Sequence, residues 1–369
     1  MKIFVTGTRG IPQIPGGVES HCEKLYPLIA AMGHEVIVAR RSTYVKDKLT
    51  SWSGVQLVDI YTPKKKSIEA IIHTFLAILK AKKYKPDVIH IHAIGPSIMV
   101  PFARLLGLKV VITNHGPDYD RQKWNWIAKR VLMLGEYLGG KFANEIIVIS
   151  NVIARIMRDR CGRESHLIYN GVVIPELSPN ADYIDSLGLQ SKNYILAAAR
   201  FVPEKGLHDL INAFKATALD CKLVLAGDAD HEDKYSADLK KLAASDKRIV
   251  LTGFIMGDKL HQIFHHAKLF VLPSYHEGLP IALLEALSYE IAVLVSDIPA
   301  NLEVPLRKDH YFECGNVNLL AEKLTSLFSA SIDTAEKEEI RLMLQTHYNW
   351  NQIASETVGV YEKAIKANK

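Results

Sequence analysis

Two glutamates, two cations, a histidine and a pair of glycines stand where strands of this chain give way to loops and helices. The richest stretch is Pro273-Ser274-Tyr275-His276-Glu277-Gly278-Leu279-Pro280-Ile281-Ala282-Leu283-Leu284-Glu285-Ala286-Leu287. The apolar run Leu269-Phe270-Val271-Leu272 stops at a proline, a polar turn carries Glu277, and Pro280 opens an apolar helix with Glu285 in its second turn. One carboxylate therefore comes from a loop and the other from a helix, both near one strand-to-helix mouth. A helix N-terminus adds unpaired N–H groups and the positive end of a dipole. Carboxylates beside an anion site suit a ligand with hydroxyls and phosphates. Taken alone, the stretch fits a helix cap and a solvated glutamate equally well.

Arg200 and Lys205 lie in Arg200-Phe201-Val202-Pro203-Glu204-Lys205-Gly206, a strand exit leading into a helix. Two cations there can neutralise a diphosphate and stabilise it as a leaving group. They can also form a surface pair around Glu204. His115 follows the apolar run 109–113, and Gly16-Gly17 closes a loop that begins at Gly7. Glycines there let backbone approach a ligand closely. Two Asp-x-Asp triplets, Asp118-Tyr119-Asp120 and Asp228-Ala229-Asp230, are of a kind that can hold a divalent cation. With Arg200 and Lys205 supplying positive charge, no metal and no other cofactor is expected. His90 and His92 share one face of a strand, but no third ligand is evident, so they read as strand-end residues and not as a zinc site.

Alternating strands and helices position these residues. In the first half, strands are expected at 2–6, 35–39, 55–60, 87–91, 109–113 and 145–150, with helices at 19–32, 67–83, 97–106, 124–138 and 151–161. Several strands are continuous Val/Ile runs, as in a parallel sheet covered on both faces. A strand leaves this half near Ile168, and 176–193 reads as connector. Beyond it, strands are expected at 194–199, 222–226, 248–251, 268–272 and 292–296, and helices at 207–218, 234–244, 258–266, 281–289 and 319–329. The pattern implies right-handed crossovers and two doubly wound α/β domains, 1–172 and 173–350, with a ligand cleft between them. The stretch 351–369 reads as an amphipathic helix with Ile353, Val358, Tyr361 and Ile365 on one face, able to cross back to the first domain.

With 369 residues, 48% of them hydrophobic and 23% charged, the chain suits a two-domain globular protein. No run approaches the ~18 apolar residues of a membrane span, and Met1-Lys2-Ile3-Phe4-Val5 enters a strand without a signal peptide. Cys22, Cys161, Cys221 and Cys314 match no metal spacing and read as reduced cytoplasmic thiols. Through Val172 there are 25 Lys and Arg against 13 Asp and Glu, a balance of +12; beyond it there are 20 against 27, a balance of −7. A basic half suggests an anionic partner, such as a membrane surface, a lipid phosphate or nucleic acid, or else an ordinary solvated face.

Taken in order, Gly16-Gly17-Val18-Glu19, Asn114-His115-Gly116, Arg200 to Gly206, Leu251-Thr252-Gly253-Phe254 and Glu277 to Glu285 resemble the retaining nucleotide-sugar glycosyltransferases of family 4 over essentially the whole chain. The resemblance implies the GT-B architecture of two facing Rossmann-like domains. Gly7-Thr8-Arg9-Gly10-Ile11-Pro12 and Gly116-Pro117-Asp118 beside a Trp/Lys-rich loop are similar to bacterial enzymes of surface-polysaccharide synthesis, rhamnosyltransferases included. By this resemblance Arg200 and Lys205 hold the diphosphate, Glu285 the ribose hydroxyls, and Glu277, with Gly278 and Leu279, the donor sugar. His115 lies at the reaction centre, Gly16 and Gly17 offer N–H groups to the diphosphate, and Phe254 lies near the base or packs in the core.

Asp118, Arg121, Lys123 and Trp124 fall on the acceptor side, where the family accepts a glycan or an undecaprenyl-diphosphate-linked oligosaccharide. Lys64-Lys65-Lys66, Lys80, Lys82, Lys83 and Lys85 flank the 67–79 helix, which is expected to pack on the sheet with its lysines solvated. Weak association of the whole basic domain with the inner face of the cytoplasmic membrane is compatible with that, and no nucleic acid is expected. The chain departs from the family at Glu290, where a helix-ending glycine is usual, and at Leu279-Pro280, where an aromatic and a glycine are common. Two other readings remain: a sugar-nucleotide epimerase of the same fold, and an NADP oxidoreductase using Arg40 and Arg41 at a strand end, although G-x-G-x-x-G is absent.

Overall fold

The computed structural model describes residues 1–63, 68–120, 125–176, 179–229, 232–330 and 332–366. The chain divides into two compact units, Met1–Gly171 with His347–Lys369, and Val172–Thr346. Each is an α/β unit of the Rossmann type.

The first unit holds strands β1 (Lys2–Thr6), β2 (Glu35–Arg41), β3 (Ser51–Trp52), β4 (Val55–Ile60), β5 (Val88–His92), β6 (Val110–Asn114), β7 (Glu145–Val148) and β8 (His166–Leu167). Their order is β3-β4-β2-β1-β5-β6-β7-β8, with only the β3–β4 pair antiparallel among the described residues. Ile3, Phe4 and Val5 of β1 and Val88 and Ile89 of β5 are wholly buried, because helices cover both faces of a parallel sheet. Those helices are α1 (Gly17–Ala31), α2 (Glu69–Tyr84), α3 (Val100–Leu105), α4 (Trp126–Phe142) and α5 (Asn151–Cys161). The stretch expected as one helix over 97–106 is a 3-10 turn, Pro96–Met99, followed by α3. The turn and α3 each open on Pro96 or Pro101.

The second unit holds β9 (Tyr194–Ala198), β10 (Lys222–Ala226), β11 (Ile249–Gly253), β12 (Leu269–Leu272), β13 (Ala292–Ser296) and β14 (Tyr311–Phe312), all parallel in the order β11-β10-β9-β12-β13-β14. Its helices are α6 (Asp182–Ser186), α7 (Leu207–Lys215), α8 (Lys234–Ala244), α9 (Asp258–His265), α10 (Ile281–Ser288), α11 (Pro299–Leu302), α12 (Val317–Ser329) and α13 (Thr334–His347). Glu290, just after α10, sits at φ 54, the left-handed region where its Cβ is disfavoured. Its carboxylate meets Arg341 and, at 3.7 Å, Lys337 on α13.

The last helix, α14 (Trp350–Lys366), packs on α1 in the first unit. Its buried side chains are Ile353, Ala354, Thr357, Val360, Tyr361 and Ala364. The expected stripe through Val358 and Ile365 is therefore corrected by about a third of a turn. Small Ala354 and Ala364 lie inward and let Tyr361 reach the sheet.

In both sheets the strand order reverses at the first strand of the unit. β1 has β2 on one side and β5 on the other, and β9 has β10 and β12. The crevice outside the carboxyl ends at such a reversal is where open α/β sheets bind ligands.

Candidate functional site

In the second unit, the chain leaves β9 through Arg200 and a 3-10 turn, Pro203–Lys205, and enters α7. Next to it the chain leaves β12 through Pro273–Pro280 and enters α10. The two loops are stitched together. Tyr275 N–H donates to the Glu204 carbonyl at 2.9 Å, and Tyr275 Oη donates to Asp209 at 2.5 Å. Gly206 sits at φ 62, and a Cβ there would collide with the Pro273 carbonyl, so the turn needs glycine.

The stitching sets Lys205 Nζ 2.6 Å from Glu277 Oε1, with only 19% and 10% of the two side chains exposed. Ser274 Oγ donates to the same Glu277 oxygen at 2.7 Å. The Ser274 carbonyl in turn accepts from Ser296 Oγ at 2.5 Å, which is held by Asn301. A carboxylate fixed by an ammonium and by a hydroxyl whose residue is itself held from behind is preorganised and not merely a surface charge. Arg200 is half-buried on the β9 loop, Glu285 is half-buried in the second turn of α10, Gly278 is half-buried and Leu279 is buried. Phe254, after β11, is 58% exposed, which removes the core-packing alternative for it.

In the first unit, the loop after β1 ends at Gly16, at φ 145, where a Cβ would collide with Glu19 Oε2. Glu19 Oε1 accepts from Arg9 N–H at 2.9 Å and from Thr8 Oγ1 at 3.2 Å, so the fourth residue of Gly16-Gly17-Val18-Glu19 shapes the loop. Gly17 opens α1 with open space where a Cβ would stand.

His115, just past β6, meets His92 at the end of β5: His92 Nδ1 and His115 Nε2 are 2.9 Å apart. His92 Nε2 is 2.5 Å from Tyr26 Oη. Tyr26 and Tyr361 hydroxyls both reach His90 Nδ1, at 2.9 and 2.8 Å, and His90 Nε2 meets Thr113 Oγ1 at 2.7 Å. Burial pushes His90 down to about 3 and His21 to about 4. It also holds His92 and His115 well below the usual value, with neighbouring histidines adding to the effect. The rings are therefore neutral, each a donor at one nitrogen and an acceptor at the other. The array has two polarities. If Tyr26 donates to His92, then His92 donates to His115; if His115 donates, every bond from it to Tyr26 reverses.

His90 and His92 lie toward the end of β5 as expected, but the expectation that no third ligand-type residue stands near them is corrected by His21 and His115. Ligand atoms of His21, His92 and His115 lie within 4.8 Å of one another. The 2.9 Å spacing of His92 and His115 is a hydrogen bond, shorter than the roughly 3.3 Å between two ligands of tetrahedral zinc.

The loop after β6 has its own anchor. Glu136 on α4, with a side chain 1% exposed, accepts from Asn114 at 3.2 Å, Tyr119 at 3.2 Å and Arg160 at 3.1 Å. Burial raises its pKa against those three partners. Asp118 opens a short 3-10 turn, Asp118–Asp120, next to it. Arg121, Lys123 and Trp124 lie outside the described residues, as do Lys64, Lys65, Lys66 and Asp230. Asp228, the first acid of the second triplet, is held by Lys240 at 2.9 Å.

The sequence matches the family model of group 1 glycosyl transferases over residues 181–340 and that of glycosyltransferase family 4 over residues 15–174. The fold is that of sucrose-phosphate synthase from Thermosynechococcus elongatus, with a TM-score of 0.84 at 20% identity over 100% of both chains. The chain belongs to the GT-B glycosyltransferases. An uncharacterized glycosyltransferase of Methanocaldococcus jannaschii, MJ1607, is 25% identical over 99% of this chain and 99% of its own. The UDP-Gal:alpha-D-GlcNAc-diphosphoundecaprenol alpha-1,3-galactosyltransferase of Escherichia coli is 27% identical over 64% of this chain and 63% of its own.

Neither the epimerase nor the oxidoreductase reading finds support in this glycosyltransferase. Arg40, wholly buried, is saturated by Asp59 at 2.7 Å and Asp47 at 2.9 Å, and Arg41 pairs with Glu69 at 3.1 Å. Both arginines thus close internal ion pairs, which corrects their assignment to a 2′-phosphate. Residue types missed from sequence, namely Tyr26, His21, Ser274 and Glu136, are ordinary core or helix residues by pattern; only the three-dimensional neighbourhood singles them out.

Proposed function

We propose that this glycosyltransferase moves a hexosyl or deoxyhexosyl group from a nucleotide diphosphate sugar to a hydroxyl of a glycan or undecaprenyl-diphosphate-linked acceptor in cell-surface polysaccharide synthesis, with retention at the anomeric carbon. The observation that carries this reading is the Lys205–Glu277 pair at the reversal point of the second sheet. It sets a cation and a carboxylate side by side where a diphosphate and a sugar hydroxyl are adjacent groups of one ligand. The Escherichia coli relative, named for a UDP-galactose donor and a diphosphoundecaprenol acceptor, supports both substrate classes.

In this mechanism the second unit binds the donor. Arg200 and Lys205 neutralise the diphosphate as the bond to the anomeric carbon lengthens. The ammonium of Lys205 has three donors, so it can keep Glu277 while bonding a phosphate oxygen. Glu277 holds a sugar hydroxyl and faces the positive charge that develops on the sugar. Glu285 accepts from the ribose hydroxyls, and Phe254 covers the base. His115 and the Gly16-Gly17 backbone are assigned to the donor, while Asp118, Arg121, Lys123 and Trp124 serve the acceptor. The departing phosphate oxygen takes the acceptor proton on the face the leaving group vacates, which gives retention without a covalent intermediate. With two side-chain cations on the diphosphate, turnover needs no metal.

A panel of nucleotide sugars, scored for binding and slow donor hydrolysis, tests the donor reading without an acceptor. The expected result is one sugar class hydrolysed at an unchanged rate in chelator. No response to any member, with the protein folded, would sink it. NMR of the first-formed product tests retention, and the inverted anomer would refute it.

A further inference from the structure

Helices α2, α3 and α4 adjoin one another on one side of the first sheet, and many of their large apolar side chains face outward. The residues α4 turns inward are Gly135, Glu136, Gly139 and Gly140, and a Cβ at Gly135 would collide with the Ile94 carbonyl. Inward residues of α2 are His73, Thr74, Ala77, Ile78 and Ala81. Large apolar side chains take the outer surface: Phe75 and Leu79 on α2, Leu105 on α3, and Ile127, Leu134 and Tyr137 on α4. Leu105 is 85% exposed, Trp126 70% and Ile127 65%. A spacing of four on α2 (Phe75, Leu79) and of seven and three on α4 (Ile127, Leu134, Tyr137) aligns these side chains into stripes along those two helices. Phe75 meets Phe102 of α3 with ring centroids 5.0 Å apart, which joins the α2 and α3 stripes. A face of this extent is more than the scattered exposed apolar residues of an ordinary surface.

Charge says what covers it. The three helices carry Lys80, Lys82, Lys83, Arg104, Lys129, Arg130 and Lys141, and their only acids are Glu69 and Glu136. Both acids are drawn into ion pairs with arginines of other elements, Arg41 and Arg160. The outer face is thus apolar with a basic rim. Two copies meeting through it would set lysine against lysine, which disfavours a self-complementary contact. An anionic bilayer matches both properties: acyl chains and glycerol backbone receive the apolar side chains, and headgroup phosphates receive the rim. Trp126, with Arg130 over its ring at 5.5 Å, and Tyr137 have the amphipathic character that favours the headgroup level. No helix among the described residues is long and apolar enough to cross a membrane, so the contact is one of lying on the surface.

We propose that the α2–α3–α4 face of the first unit docks this glycosyltransferase on an anionic membrane surface. The face deepens the lipid-linked acceptor reading, yet it is measured without it. As expected, α2 packs on the sheet, burying His73, Thr74, Ala77, Ile78 and Ala81, and keeps its lysines exposed; Phe75 and Leu79 also face outward.

The test is flotation of the full chain with vesicles of phosphatidylglycerol and phosphatidylethanolamine, against vesicles of phosphatidylcholine alone. Binding to the anionic vesicles only, weakening as salt rises, is expected. The double variants Leu134→Ser/Tyr137→Ser and Lys80→Glu/Lys83→Glu should each reduce the bound fraction more than about tenfold. Leu342→Ser, an exposed leucine of α13 in the other unit, should leave it unchanged. Circular dichroism and donor hydrolysis verify that each variant is folded. The proposal is overturned if the folded wild type stays off anionic vesicles at low salt. It is also overturned if the control loses as much as the face variants, or if Leu134→Ser/Tyr137→Ser dissolves a dimer and leaves flotation intact. Flotation without sugar transfer would break the enzymatic reading alone. Transfer to a soluble acceptor without flotation would break the membrane reading alone.

Discussion

The two reversal points of this protein use opposite electrostatics. In the second unit, opposite charges are held in contact: Lys205 on Glu277, with Ser274 behind. In the first unit, His21, His90, His92 and His115 are crowded together, and each is kept neutral by burial. The second arrangement suits a ligand that brings its own charge, because an ammonium shared between a carboxylate and a phosphate loses little on exchange. The first suits a place where charge would be costly and only the direction of hydrogen bonds matters.

The largest expected effect is at the ion pair. Lys205→Ala should lower kcat by about 10²- to 10³-fold, the scale of removing one preorganised donor to a developing charge. It also leaves Glu277 nearly buried without its cation. Lys205→Arg should recover part of the loss. If steady-state kinetics show Lys205→Ala losing less than threefold, the pair is structural and the charged half of the comparison fails.

Glu285 is next. Replacing it with alanine should weaken nucleotide binding about 10- to 100-fold, as expected for two hydrogen bonds to a charged acceptor. The loss should be the same for the free nucleoside diphosphate and the nucleotide sugar. Titration calorimetry that finds the loss only with the sugar present would move Glu285 from ribose to sugar.

The neutral half is tested at His92. Its ring is where the array from Tyr26 and His90 reaches His115, so it acts as a positioning residue for His115. His92→Phe keeps the ring and removes both nitrogens. It should lower kcat about tenfold with donor KM unchanged, a loss within the range of a mispositioned catalytic group. A rise in KM with kcat intact would assign the array to binding.

Acid should separate the two units. His21, His73 and His90 have folded pKa values of about 4, 3 and 3, driven first by burial, against 6.5 for the free side chain. Between those values the unfolded chain binds protons that the folded chain refuses. Stability therefore falls as pH drops from 6.5 toward 4, by up to about 1.4 kcal/mol per pH unit for each such histidine. Asp228, Asp246 and Asp333 of the second unit have lowered pKa values, so their contribution is lost only below the usual 3.8. Hydrogen exchange at pH 7 and pH 5 should show β1, β5 and β6 losing protection before β9, β10 and β12. Equal loss would mean that the histidine cluster is hydrated.

How far the sequence discloses this depends on which force places each residue. Bounds of β1, β4, β10 and β13 match their expected ranges residue for residue, since buried Val/Ile runs end sharply at polar turns. The doubly wound architecture follows from the alternation of those runs with helices. Helix α13, rich in Glu, Lys and Arg, has no apolar run to announce it. Lys205 and Glu277 are 72 residues apart, and their chemistry was legible one residue at a time, whereas their contact was not. The histidine array was least legible. His90 and His92 show a period of two, but His21 and Tyr26 on α1, His115 after β6 and Tyr361 on α14 come from three other segments, and no local pattern distinguishes a core tyrosine from one that holds a histidine.

The smallest effect, and the cleanest control, is at Glu290, which ends the helix carrying Glu285. Its left-handed backbone costs about 1–2 kcal/mol relative to glycine, and its partly exposed pairs with Arg341 and Lys337 return no more than about 1 kcal/mol in total. Glu290→Gly should therefore stabilise the protein by between zero and about 2 kcal/mol, and leave kcat and donor KM where they are. If Glu290→Gly weakens nucleotide binding as Glu285→Ala does, then the length of α10, and not the carboxylate of Glu285, is what the donor senses.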